Sequence, residues 1–115
     1  MKLRRTPDLC PTDTPRVSRE TLPLLSADRV AAMTRVAQAF SDPIRVQILS
    51  LLARVPDLCT CELESLLTLP QSKVSYHVKQ LLEAGLVTRE IAGAWSHYRL
   101  HDLHQWERFS HCFGE

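Results

Sequence analysis

The sequence predicts a mainly α chain with a small β component (α+β): a winged helix-turn-helix of five helices and a two-stranded β-hairpin wing, working as a homodimer. Three observations lead there. Apolar residues recur at helical spacing in successive segments between Ser26 and Leu82. Two of those segments, "TCELESLL" and "QSKVSYHVKQLLE", are separated only by "TLP", a link as short as that of a helix-turn-helix. Directly after them comes "LVTREIAGAWSHYRL", two strand-like runs around a tight turn at Gly93.

Residues 1–25 hold Pro7, Pro11, Pro15 and Pro23 and show little periodicity. They are expected to form a flexible arm, with residues 26–115 as the folded domain. Ser26 suits the N-cap of a first helix whose apolar face includes Val30, Met33, Ala37 and Phe40. Asp42 caps the second helix, and Pro43 takes its first position, where a missing N–H costs nothing. Ile44, Ile48, Leu51, Leu52 and Val55 form its stripe, and Pro56 follows its end. The short third helix is expected to turn Leu63, Leu66 and Leu67 inward, with Glu62 and Glu64 in its first turn, where the helix dipole favours them. The fourth directs Val74, Val78, Leu81 and Leu82 to the core, and Gly85 fits the left-handed position past its end. Asp102 and Gln105 have capping-box spacing and open a fifth helix holding Leu103, Trp106, Phe109 and Phe113.

At 115 residues the chain has room for one modest core. No apolar run approaches the roughly 18 residues that span a membrane. The start, "MKLRRTPDLCP", is basic but lacks the apolar centre of a signal peptide. A cytoplasmic location without a membrane partner follows, and there closely spaced cysteines point to metal or redox chemistry. The net charge of +1 means that any nucleic-acid surface must be local. An enzyme is not expected: no nucleophile–base pairing and no phosphate-cradling glycine loop is evident, and the chain has three glycines in all.

In a helix-turn-helix the second helix enters the major groove. Its outer face is expected to carry Gln71, Ser72, Lys73, Ser75, Tyr76, His77, Lys79 and Gln80, none of them acidic. Gln reads adenine edges, Ser reads either base type, and Lys meets phosphate or guanine. The hairpin adds Arg89, His97 and Arg99 for phosphates. A merely solvated helix face competes with this reading, but the order of elements and the missing carboxylates favour double-stranded DNA as partner. Such domains bind near-palindromic sites as dimers. Trp106, Phe109 and Phe113, with Val30 and Met33 of the first helix, offer more apolar surface than so small a core hides. They are expected to face a second copy, in whole or in part, with packing on their own core as the competing role.

"DLCTCEL" sets Cys59 and Cys61 one residue apart at a helix start. There the dipole favours thiolate, and soft thiolates select thiophilic ions. An unwound first turn lets both sulfurs converge on one ion. Strain at that point, next to the groove-reading helix, gives a route from capture to DNA release. Two other readings stand beside it. The cysteines are small buried residues, or they are a redox pair in which Cys59 and Cys61, or Cys10 of the other chain, form a disulfide.

"FSDPIRVQILSLL", "LCTCEL", "LPQSKVSYHVKQLLEAGLV" and "AGAWSHYRL" together resemble the ArsR/SmtB family of metal-responsive repressors, in order and at the family's spacing, over about residues 26 to 113. The third segment is the most specific, with Val78 where the family usually has Leu. The resemblance implies a homodimer that binds operator DNA when metal-free and is released by an inducer, so that resistance or efflux genes are transcribed. It also implies that Cys59 and Cys61 are ligands. One subgroup of arsenic sensors has a further cysteine three residues beyond the pair, where this chain has Glu64. The resemblance to cadmium/lead-type sensors, whose N-terminal cysteines reach the pair of the other subunit, makes Cys10 the third ligand, with Cys112 the less favoured choice. Those sensors use two N-terminal cysteines and this arm has one, which favours three-coordinate As(III) or Sb(III) as inducer over Pb(II) or Cd(II). The family's second sensing location, on the last helix, is matched only by Asp102 and His104, and Asp102 already has a role as a helix cap.

Overall fold

Side-chain caps set the helix starts in the computed structural model, which describes residues 17–114. Ser26 Oγ accepts from the Arg29 N–H at 3.2 Å ahead of α1 (Ala27–Ala39). Asp42 Oδ1 accepts from the N–H groups of Ile44 at 2.8 Å and Arg45 at 3.2 Å ahead of α2 (Pro43–Arg54). A two-residue strand, β1 (Leu58–Cys59), runs straight into α3 (Thr60–Leu67). Thr68 turns the chain in the left-handed conformation, and α4 (Gln71–Glu83) follows Pro70. The Leu86 N–H then bonds back to the Leu81 carbonyl around Gly85 at φ 76, the closing pattern expected of a glycine past a helix end. β2 (Val87–Ala92) and β3 (Trp95–Leu100) pair antiparallel from Val87↔Leu100 to Ala92↔Trp95. Gly93, at φ 63, takes the first position of the two-residue turn, as in a type II′ hairpin. Asp102 Oδ1 accepts from the His104 N–H at 2.9 Å and starts α5 (Leu103–His111).

The core is small and central. Ile48 and Leu49 of α2, Leu63 of α3, Val74 and Leu81 of α4 and Leu86 at the root of the wing are fully buried. Each contributes roughly 1.5–3 kcal/mol. Leu58 and Tyr98, directly paired across β1 and β3, close the core from the sheet side. Among the described residues no helix is long and apolar enough to cross a membrane.

The five helices and the hairpin stand as expected, but details differ: only Glu62, not Glu64, lies in the first turn of α3, and Val55 falls just past the end of α2 and is exposed. The sheet has three strands, in the order β1-β3-β2, rather than two; a two-residue strand is too short to show alternation. Leu66 is 56% exposed, because an eight-residue helix offers one inward row and Leu63 and Leu67 occupy it. On α1, Val30, Met33 and Ala37 are exposed, while Val36, Ala39 and Phe40 meet the core, so only the C-terminal end of that helix packs on its own chain. Asp102 caps α5 through the His104 N–H rather than that of Gln105, so the predicted capping box does not form, and Gln105 Oε1 is buried with no hydrogen-bond partner among the described residues.

Leu81→Ala removes a fully buried side chain from α4. It should lower unfolding free energy by about 2–5 kcal/mol in urea titration, and a loss below ~1 kcal/mol would contradict this packing.

Candidate DNA-reading helix and thiol pair

α4 presents Gln71, Ser72, Lys73, Ser75, Tyr76 and Lys79 to solvent, with Gln80 half-buried. No carboxylate precedes Glu83, so the face is neutral to positive. His77 departs from the expected outer face: it is 6% exposed and belongs to the inner row, three residues after Val74 and four before Leu81. It is not available to a base edge. That spacing was the signal in the sequence, overridden there by the polarity of histidine.

His77 is held from α2. Arg45 NH1 lies 3.1 Å from His77 Nδ1, Arg45 Nε donates to the Ala39 carbonyl at 3.0 Å, and Arg45 NH2 donates to the Gln38 carbonyl at 3.1 Å. A guanidinium only donates, so Nδ1 accepts and the imidazole is neutral. Burial pushes the His77 pKa below its ordinary value; Asp42, 3.7 Å away, pulls it up, while Arg45 and Lys73 push it down. For Asp42, burial opposes the charged form, but the N–H groups of Arg45 and Ile44 and the Arg45 charge, joined by that of His77 once its ring is protonated at low pH, outweigh it and hold the carboxyl below the usual range. Arg45 thus joins the end of α1 to the recognition helix, a role that no local motif announces.

On the wing, Arg89 is exposed, while Arg99 NH2 pairs with Glu90 Oε1 at 3.3 Å on the surface, an ion pair contributing about 0–1 kcal/mol. His97 is turned to β1: its Nδ1 lies 3.1 Å from Asp57 Oδ1, both half-buried.

The two cysteines meet. Cys59 Sγ and Cys61 Sγ are 3.7 Å apart, and both are free thiols. Convergence follows from Cys59 being the N-cap, with extended backbone at φ −89, ψ 170, while Cys61 is already helical. Two thiolates about 2.3 Å from one tetrahedral ion stand about 3.8 Å apart, so the pair fits two positions of a single thiophilic ion. Glu62 fixes the turn, its Oε1 accepting from the Cys59 N–H at 2.8 Å. The dipole does not settle the protonation of Cys59. The Glu62 N–H draws its pKa down, but burial, the Glu62 carboxylate and the Cys61 thiol push it above the ordinary value.

Among the described residues no third His, Cys, Asp or Glu joins the pair in a metal-holding group. Cys112 is exposed at the end of α5, its Sγ donating to the Arg108 carbonyl. Cys10 lies outside the described residues. Asp102 caps α5, and His104 Nδ1 sits 3.2 Å from Glu107 Oε1, so the last-helix pair is engaged locally. Phe109 stacks on Phe40 of α1 at 4.2 Å between ring centres, and Trp106 packs against the core. Phe113, Val30 and Met33 remain exposed.

Helix, turn, polar helix and hairpin, in this order around one core, define a DNA-binding domain of the winged helix-turn-helix class. Residues 42–89 match the model of "Bacterial regulatory protein, arsR family". The chain is 42% identical over 65 residues to the arsenical resistance operon repressor of Bacillus subtilis (strain 168), a match covering 56% of this chain and 62% of the relative. It therefore spans about three fifths of that relative's length. Among solved structures it is similar to HlyU from Vibrio cholerae N16961, with TM-score 0.68 and 26% identity over 78% of this chain and 100% of the other. It is also similar to the cadmium metal-sensor CMTR from Mycobacterium tuberculosis, with TM-score 0.57 and 31% identity over 68% and 80%. The chain belongs to the ArsR family.

His77 makes folding pH-dependent. Its lowered folded pKa means that the unfolded chain takes up the proton first, so stability is lost as pH falls below about 6.5 and levels off below the folded value. The Asp42 contribution is present above the ordinary carboxylate range and is lost only as pH falls through its own lower value. Urea unfolding between pH 7.5 and 5.5, at constant protein concentration, should show a decline with a slope of at most about 1.4 kcal/mol per pH unit from this residue. In His77→Gln that component should vanish from an otherwise less stable protein.

Proposed function

We propose that this chain is a metalloid-responsive transcriptional repressor of the cytoplasm, binding operator DNA as a metal-free homodimer and leaving it when As(III) or Sb(III) is captured by cysteine thiolates. The carrying observation is the 3.7 Å approach of Cys59 and Cys61 one helix before the groove-reading face. Gln71, Ser72, Lys73, Ser75, Tyr76, Lys79 and Gln80 read the major groove, with Arg89 and Arg99 on phosphates. The exposed Val30, Met33 and Phe113, beside Trp106 and Phe109, cover one another across a two-fold axis.

Cys10, in an arm formed by residues 1–25, supplies the third sulfur, reaching the pair of the other subunit. Arsenite and three thiols exchange ligands without electron transfer: three As–S bonds form, and the three hydroxyls leave as water with the thiol protons. A three-sulfur site leaves the open side of trivalent arsenic or antimony for its lone pair. Pb(II) and Cd(II) are the alternative inducers, and the likeness to a cadmium sensor supports retaining them. The thiol redox switch is the second reading, supported by the same sulfur contact.

Arsenite titration of reduced, anaerobic protein should give three-sulfur binding that is lost in Cys59→Ser, Cys61→Ser and Cys10→Ser and kept in Cys112→Ser. Three-sulfur binding retained in Cys10→Ser would sink the arm ligand. DNA release by arsenite without oxidant favours the metalloid reading over the redox one. Operator affinity of the metal-free protein should fall about 10³- to 10⁵-fold between 50 and 200 mM salt if the dimer meets six to ten phosphates.

A further inference from the structure

The thiol pair is attached to the wing as directly as to the recognition helix. Cys59 is the Cα partner of His97 in the β1–β3 pairing, and His97 is in turn the partner of Glu90 in β3–β2. Directly paired residues project to the same face of a sheet. Cys59, His97 and Glu90 therefore form one row across all three strands, with Leu58 and Tyr98 anchoring the opposite face in the core. A second tether runs beside the first: Asp57, two residues before Cys59, meets the His97 ring at 3.1 Å. These contacts, with Leu58↔Tyr98, tie the start of α3 to the hairpin through β1.

We propose that capture of the inducer at Cys59 and Cys61 is transmitted to the wing through β1, with Asp57 and His97 as the positioning residues that make the coupling rigid. The inference rests on the thiol reading above and adds its route. An ion that redirects the Cys59 side chain must turn the backbone of a two-residue strand, and His97, gripped by that strand twice, moves with it. From His97 the disturbance follows β3 to Trp95 at the tip and crosses to β2, which carries Arg89. The phosphate-facing hairpin then shifts relative to α4, and the two parts no longer meet one duplex together.

The test uses the full reduced chain and arsenite as the probe. Asp57→Asn and His97→Ala, with His97→Gln as a milder partner should the alanine variant fold poorly, should bind arsenite with unchanged stoichiometry. Asp57→Asn should hold operator DNA within about threefold of the unvaried protein, and each His97 variant is referred to its own arsenite-free affinity. Their ratio of operator affinity without and with arsenite should shrink several-fold, from within the usual range of about 5- to 150-fold towards one. In a Trp106→Phe background, Trp95 fluorescence should respond to arsenite, and the response should fade in both positioning variants. A full ratio in Asp57→Asn and His97→Gln, together with a silent Trp95, overturns the wing route. Absence of arsenite binding in the unvaried chain instead overturns the thiol site itself, so the two failures are separable.

Discussion

The extended backbone of Cys59 is the constraint on which the meeting of the two thiols depends. Side chains two residues apart on a regular helix point to different sides, because each residue turns by about 100°. Cys59 escapes that geometry by remaining a strand residue while Cys61 already lies in α3. One residue thereby does three things. It ends β1, it caps α3, and it brings its sulfur to 3.7 Å from the next thiol. The carboxylate of Glu62, bonded to the Cys59 N–H, locks this junction but also discourages the anion on the sulfur beside it. Ion capture at such a junction works against a defined backbone conformation, which is what a switch requires.

A second fixed point lies on the other side of the recognition helix. Arg45 spends its donors on two carbonyls at the end of α1 and on His77 in the middle of α4. The helix that offers Val30 and Met33 and the helix that offers Lys73 and Lys79 are therefore set relative to each other through one side chain. In the proposed homodimer on two half-sites, the angle between these helices would set the spacing of the two α4 faces. The neutral state of His77 is part of this arrangement, because a protonated Nδ1 has no lone pair to accept from the guanidinium.

The aromatic residues of α5 show how one small core divides its surface. Phe109 is used within the chain, stacked on Phe40, and Trp106 closes the core beside it. Phe113 and Leu103 are left outside with the exposed apolar residues of α1. Packing on the chain's own core is thus the role of Phe109 and Trp106, whereas Phe113, just past the end of α5, stays in solvent.

Read alone, the sequence placed the five helices and the hairpin, the Asp42 cap, the turn at Gly93 and the close of α4 at Gly85. It also placed most of the polar face of α4 and the meeting of Cys59 with Cys61. All of these follow from interactions within about four residues, or from the period of the apolar residues. The tertiary structure alone decided that Leu58 and Cys59 form a strand, that Leu66 stays in solvent, and that His77 turns inward. It alone joined His97 to Asp57. Arg45 and His77 are 32 residues apart and Asp57 and His97 are 40 apart. Such contacts exist only after the core has brought distant segments together, and no local spacing encodes them.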